Sequence, residues 1–549
     1  MGFPSLYAIN VSQVRQGCRS DGEQTGRSRR GLRPCGCYTG WVTGYHVENF
    51  GCRASQADGD AISAGLEALG ACPVSGTPDV VVVNTCTVTA EADRDARAYI
   101  RRIQRGNPQA RIVVTGCYAQ RAPDEVAALP GVFAVVGNSH KSQVASIALG
   151  SLPAQPAFAT RENRAPLMGG NSLVAMATLS THFVPLAALT SAANSGVQRL
   201  PGAPAFVLAG DIFAHSDFEL PSLPFSVIDR LAQSSAAHRT RPTLKIQDGC
   251  GNRCTFCVIP STRGNSRSLS KPQVLDAVEQ FIAAGGQELV ISGINLGRWG
   301  RDLDPQLHFE DLLTEIFETT SLTRLRISSV EPMDWTDGLI ALLRQYGQGR
   351  HPRLARHVHM PLQSGSDRVL RRMHRRYRPW HYAERVAKVR SACPDAAIGA
   401  DVMVGFPGET DEEFRESYDF IAAQPLAYLH IFPFSARPGT PGWELHRLDP
   451  VPAVAVRERM AALRTLIDQK NFAFRSTFVG KQVSAVTLVS PKGRSASEIH
   501  TLTPAMTDNF ISVEIAGNLP PNLLISAQIA DLTSQGLSAT IVGEIRSIA

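Results

Sequence analysis

Cys250-Gly-Asn-Arg-Cys254-Thr-Phe-Cys257 places three thiols within eight residues, directly after the run Leu244-Lys-Ile-Gln-Asp-Gly. Thiolates are the usual ligands of iron–sulfur clusters, and a [4Fe–4S] cube has four irons, so three local ligands leave one iron open. A structural zinc site needs a fourth ligand. The loop supplies none, and the nearest other His and Cys lie well away in sequence. An open iron can hold a small molecule through its amino and carboxylate groups and pass it an electron. The spacing therefore points to one-electron chemistry on a bound ligand rather than to a zinc knuckle.

Three more cysteines share a different regularity. His46-Val-Glu-Asn-Phe-Gly-Cys52, Val80-Val-Val-Val-Asn-Thr-Cys86 and Arg111-Ile-Val-Val-Thr-Gly-Cys117 each read as a strand that stops at a cysteine. Their separations, 34 and 31 residues, are close to one strand–helix–strand unit of about 30 residues. Helices are expected near Asp58 to Leu69 and Ala90 to Arg105. In a parallel sheet the equivalent strand ends share one edge, so the three thiols converge where open α/β folds bind ligands. One such cysteine alone is more often a buried structural thiol; three at matching strand ends point to a second cluster.

The elements that must position these residues follow from the same alternation. Leu244-Lys-Ile-Gln-Asp-Gly, Glu288-Leu-Val-Ile-Ser-Gly, Arg324-Leu-Arg-Ile-Ser-Ser, His357-Val-His-Met-Pro-Leu, Ala400-Asp-Val-Met-Val-Gly and Tyr428-Leu-His-Ile-Phe-Pro read as strands separated by helical patterns. They predict an incomplete parallel β/α barrel with its chemistry at the strand carboxyl ends. After Pro452, Val456, Met460, Leu463 and Ile467 form one helical stripe. From about Phe478, short runs such as Val483 to Val489 and Phe510 to Ile515 read as a small all-β domain.

The fold class expected is α/β, in five segments. Residues 1–45 are a disordered or misannotated start, and 46–150 an amino-terminal parallel α/β cluster-binding domain. Residues 151–240, rich in Ala, Ser, Pro and Leu, are a linker or insertion with some local structure. Residues 241–475 form a partial (β/α)6 barrel, and 476–549 a small all-β barrel.

The C-x-x-x-C-x-x-C spacing, with Phe256 before the third cysteine, resembles the radical S-adenosylmethionine (SAM) superfamily. That resemblance implies SAM bound to the open iron, with Phe256 near its adenine. It further implies that Gly293 and Asn295 in Ser-Gly-Ile-Asn-Leu-Gly, Ser329, Gln363 in Pro-Leu-Gln-Ser-Gly-Ser and Val404 in Val-Gly-Phe-Pro-Gly-Glu complete the pocket. These six residues read equally well as loop and packing residues.

Phe-Gly-Cys52-Arg, Asn-Thr-Cys86-Thr-Val-Thr-Ala-Glu-Ala-Asp and Val-Thr-Gly-Cys117-Tyr-Ala-Gln look like the amino-terminal domain of the methylthiotransferases. The resemblance covers roughly residues 46–545, apart from much of 155–240. It implies two [4Fe–4S] clusters, one on Cys52, Cys86 and Cys117 and one on Cys250, Cys254 and Cys257. A 5′-deoxyadenosyl radical would abstract a hydrogen from an unactivated carbon, and the second cluster would supply the sulfur. Because the cofactors carry that chemistry, no protein general acid or base is expected beyond the cluster ligands.

The tail is similar to the TRAM module, which binds RNA in this family, yet from Ser476 to Ala549 it has four Lys plus Arg against five Asp plus Glu. Charge therefore gives no argument for RNA binding there. Arg371-Arg-Met-His-Arg-Arg376 is denser in charge and reads either as a phosphate contact or as a solvated helix face. Asn-Thr-Cys86-Thr-Val-Thr, Arg326-Ile-Ser-Ser-Val-Glu-Pro332 and His430-Ile-Phe-Pro-Phe-Ser435-Ala-Arg-Pro-Gly-Thr440 look most like the branch that acts on N6-threonylcarbamoyladenosine at tRNA position 37. Ser55 stands where that branch more often has Asn.

The partners implied are tRNA and a one-electron donor such as flavodoxin or ferredoxin, with the sulfur source unassigned. The alternatives are tRNA bearing isopentenyladenosine, an aspartate of a ribosomal protein, and an iron–sulfur RNA-binding protein without turnover.

The bulk numbers are compatible with this reading. Length 549, hydrophobic content 43% and charged content 19% describe a multidomain globular chain. The apolar stretch Leu173 to Leu189 is broken by Thr178, Ser180, Thr181 and His182, so no membrane span is expected. A net charge of +6 permits a polyanionic partner without requiring one. Eleven cysteines, an odd number with no apolar leader, predict a reducing compartment, the cytoplasm. Cys35-Gly-Cys37 lacks further ligands and reads as incidental.

Overall fold

The computed structural model describes residues 43–74, 76–150, 205–214, 240–489, 502–534 and 536–542; Cys18, Cys35, Cys37 and most of the 151–240 segment lie outside them.

Strands β1 (Gly44–Asn49), β2 (Cys72–Pro73), β3 (Val80–Thr85), β4 (Arg111–Gly116), β5 (Val132–Val136) and β6 (Phe206–Leu208) form one parallel sheet in the order β2-β1-β3-β4-β5-β6. Val80-Val-Val-Val-Asn-Thr is buried throughout, as a parallel strand covered on both faces should be. Helix α1 (Arg53–Ala68) joins β1 to β2, and helix α2 (Ala90–Gly106) joins β3 to β4. Thr89 caps α2 by accepting from the Ala92 amide at 3.2 Å, and Glu91 and Asp93 complement the dipole in its first turn. Helix α1 starts five residues ahead of the expected Asp58 because Cys52 is its N-cap residue. The strand order reverses direction between β1 and β3, which makes that boundary the sheet's ligand-binding crevice.

Strand β6 comes from the segment expected to be a linker. Paired with β5 as Val135↔Val207, it covers an edge that would otherwise be open, and the Gly137 amide donates to Leu208 O at 2.8 Å. Three apolar residues in an Ala-, Ser- and Pro-rich stretch carry too short a pattern to read as a strand.

In the second domain β7 (Thr243–Asp248), β9 (Glu288–Gly293) and β10 (Arg324–Ile327) pair in parallel, with β8 (Arg267–Ser268) antiparallel on the outer edge of β7. Strands β11 (His357–His359), β12 (Ala397–Val404) and β13 (Tyr428–Pro433) pair likewise. Bridges Leu325↔Leu354 and Ser329↔His359 join the two groups into the expected six-stranded partial barrel. Leu244, Ile246, Leu289, Ile291, Leu325, Ile327, Val358 and Ile398 share one core with the surrounding helices. Helix Ala453–Ser476 buries Leu463 and Ile467 in that core, with Val456 and Met460 packed at its edge.

Period-two alternation turns the intervening residues inward. These are Lys245, Gln247, Glu288, Arg324, Arg326, His357, His359, Asp401, Tyr428 and His430, so the lumen is polar.

The tail closes into a barrel of five strands: β14 (Gln482–Thr487), β15 (Leu502–Thr507), β16 (Ser512–Ala516), β17 (Leu524–Leu532) and β18 (Leu537–Ile541), in the order β14-β15-β16-β18-β17. Its 507–510 turn stops the amino-terminal end of the larger barrel. Arg326 donates to Thr507 O at 2.9 Å and to Asp508 O at 3.1 Å. The Phe510 ring centroid lies 4.4 Å from that of His357 and 5.5 Å from that of Tyr428. Glu288, also on this floor, accepts from Arg326 at 2.7 and 3.1 Å and from Arg241 at 3.1 Å.

This floor makes stability depend on pH. Burial, reinforced by Arg326 and Arg53, pushes the His357 imidazole well below its ordinary 6.5. Burial opposes ionisation of Glu288, but Arg326 and Arg241 outweigh it and hold the carboxyl below its ordinary 4.5. In both cases the unfolded chain binds protons that the folded chain does not, so stability falls as pH falls. Thermal unfolding is expected to show a first loss on acidification below about 6.5 and a second below about 4.5, at up to about 1.4 kcal/mol per pH unit per group. His357→Gln should shrink the first step only, and an unchanged first step would remove His357 as its source.

Candidate active site

Strands β1, β3 and β4 are adjacent, and their register aligns Asn49 with Asn84 and Thr85 with Gly116. Cys52, Cys86 and Cys117 therefore leave the sheet at one edge. The approach is close enough to dictate the residues before two of them. A side chain on Gly51 (φ +111°) would meet Cys86 Cβ at 2.6 Å, and one on Gly116 (φ +96°) would meet Thr85 O at 2.3 Å. Both positions need glycine for backbone conformation and for space. Asn84 ties the edge together, donating to Asn49 Oδ1 at 3.0 Å and to Ser55 O at 2.6 Å.

Cys52 is exposed while Cys86 and Cys117 are buried. The Cys117 sulfur accepts from Asn138 Nδ2 at 3.5 Å, and the Cys86 sulfur from the Val88 amide at 3.5 Å. Burial, with Cys117 nearby, pushes the Cys86 thiol up to about 12.

The other three cysteines lie in the loop after β7. Cys250 Sγ accepts from the Asn252 amide at 3.4 Å and from Asn295 Nδ2 at 3.6 Å; Cys254 Sγ accepts from Arg375 Nη1 at 3.2 Å. Burial pushes the Cys257 thiol up to about 12 and raises Cys250. Arg375 is itself buried, paired with Glu331 and 3.2 Å from the Tyr377 hydroxyl.

Two joints bring the cysteine sets together. Helix α3 (Cys117–Arg121), which begins at a cysteine, packs on helix Ile259–Arg263, which follows Cys257; Asn138 Nδ2 donates to Thr262 O at 2.8 Å. Behind them Asp58 of α1 is buried among three cations, pairing with Lys141 at 2.6 Å, Arg263 at 3.0 Å and Lys245. Lys245 and Arg263 also reach Asp248, both at 2.9 Å. Burial works against the Asp58 carboxylate, yet those cations hold it below its ordinary range. On the far side Arg437 donates to Thr87 O at 2.8 Å, Thr89 O at 2.7 Å and Asp93 at 2.7 Å. The Gly442 amide donates to Thr255 O at 2.7 Å. The segment after β13 thus grips both cysteine loops.

The six residues expected around SAM sit at the carboxyl ends of the barrel strands or in the adjoining cysteine loop. Phe256 packs with the cluster of Met373, Tyr377 and Phe406. Gly293 ends β9 against Gln247, and the Asn295 amide donates to Gln247 Oε1 at 2.7 Å. Ser329 bridges to His359. Gln363 has φ +66° and bonds through its amide to Asp401 O at 2.7 Å. Val404 is buried at the end of β12.

Buried oxygens of Asn252, Asn295 and Gln363 have no partner among the described residues, as expected of groups that face a polar ligand. Two sets of three thiols, with Cys86, Cys250 and Cys257 raised by burial and with backbone and amide donors at hand, suit a [4Fe–4S] cluster at each set, since a metal stabilises the thiolate that burial disfavours.

Asn138 and Arg263 escaped the sequence reading, and Arg375 and Arg437 entered it only as members of longer runs. None lies in a ligand-spacing motif, and their roles depend on partners far along the chain. The run Arg371 to Arg376 divides: Arg372 pairs with Glu413, Arg375 turns inward to Cys254, Arg371 pairs with Asp367, and Arg376 is exposed. The charge of this run, read either as a phosphate contact or as a solvated helix face, is therefore partly spent inside the protein.

Residues 244–421 match the radical SAM superfamily, and residues 44–137 match uncharacterized protein family UPF0004. The chain is 34% identical over 442 residues to the threonylcarbamoyladenosine tRNA methylthiotransferase MtaB of Bacillus subtilis, covering 80% of this chain and 83% of the relative. It is 32% identical to the MtaB of Aquifex aeolicus, covering 86% and 96%. It is 30% identical to the tRNA-2-methylthio-N(6)-dimethylallyladenosine synthase of Acidothermus cellulolyticus, covering 91% and 88%. Among solved structures, the radical SAM methyltransferase TsrM from Kitasatospora setae aligns with a TM-score of 0.47 at 15% identity, covering 74% of this chain and 78% of that one.

Two outcomes test the geometry. In cluster-free protein iodoacetamide should modify Cys52 well before Cys86 and Cys117; peptide mass mapping showing Cys86 modified as fast would contradict the buried placement. Arg263→Met should lower stability by about 1.5–3 kcal/mol, because Asp58 and Asp248 each lose a charged hydrogen-bond donor while keeping Lys245. A denaturant midpoint equal to that of the unaltered protein would mean that the ion cluster does not hold the joint.

Proposed function

Because the chain belongs to the radical SAM methylthiotransferase family, we propose that it converts N6-threonylcarbamoyladenosine at position 37 of tRNA into the 2-methylthio derivative. In this reading Cys250, Cys254 and Cys257 hold the cluster that binds SAM, and Cys52, Cys86 and Cys117 hold the cluster that delivers sulfur. The observation that carries it is the convergence of two three-cysteine sets through α3 and helix Ile259–Arg263. Two things support the choice of nucleoside: the similarity to proteins named for it, and a lumen lined by charged and polar side chains, which is a poor wall for an isopentenyl group.

Bound in these sites, the clusters and SAM supply the one-electron chemistry that replaces a carbon-bound hydrogen by a methylthio group. The chain's own residues position them. Arg375 and Asn295 direct hydrogen bonds at Cys254 and Cys250, which tunes the thiolates' electron density. Phe256, Gly293, Asn295, Ser329, Gln363 and Val404 form the SAM pocket. Neither a general acid nor a general base is assigned, because removing hydrogen from an unactivated carbon is not proton transfer. Cytoplasmic action on tRNA, with a flavodoxin- or ferredoxin-type electron donor, completes the reading. No helix among the described residues is long and apolar enough to cross a membrane.

The test is anaerobic reconstitution with iron and sulfide, followed by SAM, a reductant and tRNA carrying threonylcarbamoyladenosine, with nucleosides analysed by mass spectrometry. The 2-methylthio nucleoside and 5′-deoxyadenosine should both appear. Cys254→Ala should abolish both, whereas Cys86→Ala should spare SAM cleavage and abolish the modified nucleoside. SAM cleavage without that product, on a preparation with both clusters loaded, would reject this substrate.

A further inference from the structure

The barrel lumen holds a cation with no direct ion pair among the described residues. Arg53 directly follows Cys52 and opens α1. Its guanidinium carbon lies 5.8 Å from the centroid of the Phe510 ring, which plugs the floor. The other guanidiniums there are engaged. Arg326 binds both oxygens of Glu288 and two backbone carbonyls. Arg241 binds Glu288, Arg324 binds Pro352 O and the Ser484 hydroxyl, and Arg356 binds Asp508. Among the described residues Arg53 has neither a hydrogen bond nor an ion pair, only its ring contact. Glu288 already serves three arginines, so Arg53 stands partly buried beside like charges. Such a cation is costly unless an anion joins it.

A second observation concerns the same lumen. His359 and His430 flank Asp401 at 3.2 and 3.1 Å. Among the described residues the His359 Nε2 has Asp401 as its close polar neighbour, at an angle poorer than a full hydrogen bond. A polar ligand in the lumen therefore meets an unpaired guanidinium close to the His359–Asp401–His430 cluster.

We propose that Arg53 recognises the carboxylate on the N6 substituent of the target nucleoside, making it the residue that selects a threonylcarbamoyl group over an uncharged one. The inference rests on the substrate reading given above. A threonylcarbamoyl group carries a carboxylate and a hydroxyl, whereas an isopentenyl group carries neither and would leave the guanidinium unpaired, the situation in which polar sites discriminate most strongly. A guanidinium also matches a carboxylate in a two-pronged way that an ammonium does not. Because Arg53 adjoins Cys52, the residue that selects the nucleoside is covalently next to the cysteine set assigned to sulfur delivery.

The experiment measures binding of the cluster-reconstituted full chain to anticodon stem-loop RNAs by fluorescence anisotropy. The target nucleoside is threonylcarbamoyladenosine, its carboxyl methyl ester, or adenosine, and the readout is the ratio of affinities. The unaltered chain should bind the acid on the order of tenfold to a hundredfold tighter than the ester or adenosine. Arg53→Gln should bind all three alike, at the affinity the unaltered chain has for adenosine, and Arg53→Lys should keep part of the preference. If Arg53→Gln keeps the full acid-to-ester ratio, including when all three affinities drop together, Arg53 is not the reader and the substrate reading stands. If the unaltered chain itself fails to distinguish the acid from the ester and from adenosine, the inference and the substrate reading fall together.

Discussion

Two cysteine sets carried on separate sheets must face one space, and the buried ion cluster around Asp58 is the constraint that fixes them there. Its members are tied closely to the thiols along the chain. Asp58 lies six residues after Cys52 on the helix that Cys52 caps, Arg263 six residues after Cys257, and Asp248 two residues before Cys250. A shift between the domains would leave charges buried and unpaired, a far larger penalty than sliding one apolar face over another. An apolar joint could be as stable; it would not set the register as sharply. Three cations meet two carboxylates, and the remaining positive charge lies where Arg263 also feels Cys117 and Cys52, a favourable setting for thiolates.

The second joint explains why two stretches far apart in sequence look like motifs. Thr87, Thr89 and Asp93 follow Cys86, and Arg437 follows β13; each supplies half of one set of hydrogen bonds. Ser435 completes it by accepting from the Ala90 amide at 2.9 Å. These residues join the two domains, and arginine suits the position because its planar guanidinium satisfies two carbonyls and a carboxylate at once.

The cysteines, the strand ends that carry them, the six barrel strands and the closed tail were legible because each depends on local pattern: ligand spacing, a strand run that stops at a thiol, alternation of apolar and polar residues. Asp58 with Arg263 was not legible, since 205 residues separate them and neither is unusual where it stands. Strand β6 was hidden because its three residues pair only after a long excursion of chain. Arg375 looked like one charge among several in a basic run, and nothing local distinguishes the arginine that turns in to Cys254 from Arg376, which stays in solvent. The polar lumen was legible in principle: Lys245 with Gln247, Arg324 with Arg326 and His357 with His359 put polar groups two apart in strands that would otherwise be apolar.

That lumen also bears on the tail. In a parallel barrel the interior is ordinarily filled by layers of branched apolar side chains, and here those positions carry arginines, histidines and a glutamate. Such an interior can persist only if something dry and rigid closes its end, because water entering at the floor would screen Glu288 from the arginines it neutralises. The 507–510 turn does this. It supplies two carbonyls to Arg326, a carboxylate to Arg356 and the Phe510 ring against His357. The tail barrel, whose charge gives no reason to expect a nucleic-acid surface, is thereby required by the electrostatics of the larger barrel. Local rules are broken most heavily where a protein does its chemistry, and β7, which carries Lys245 and Gln247, runs directly into the loop of Cys250, Cys254 and Cys257.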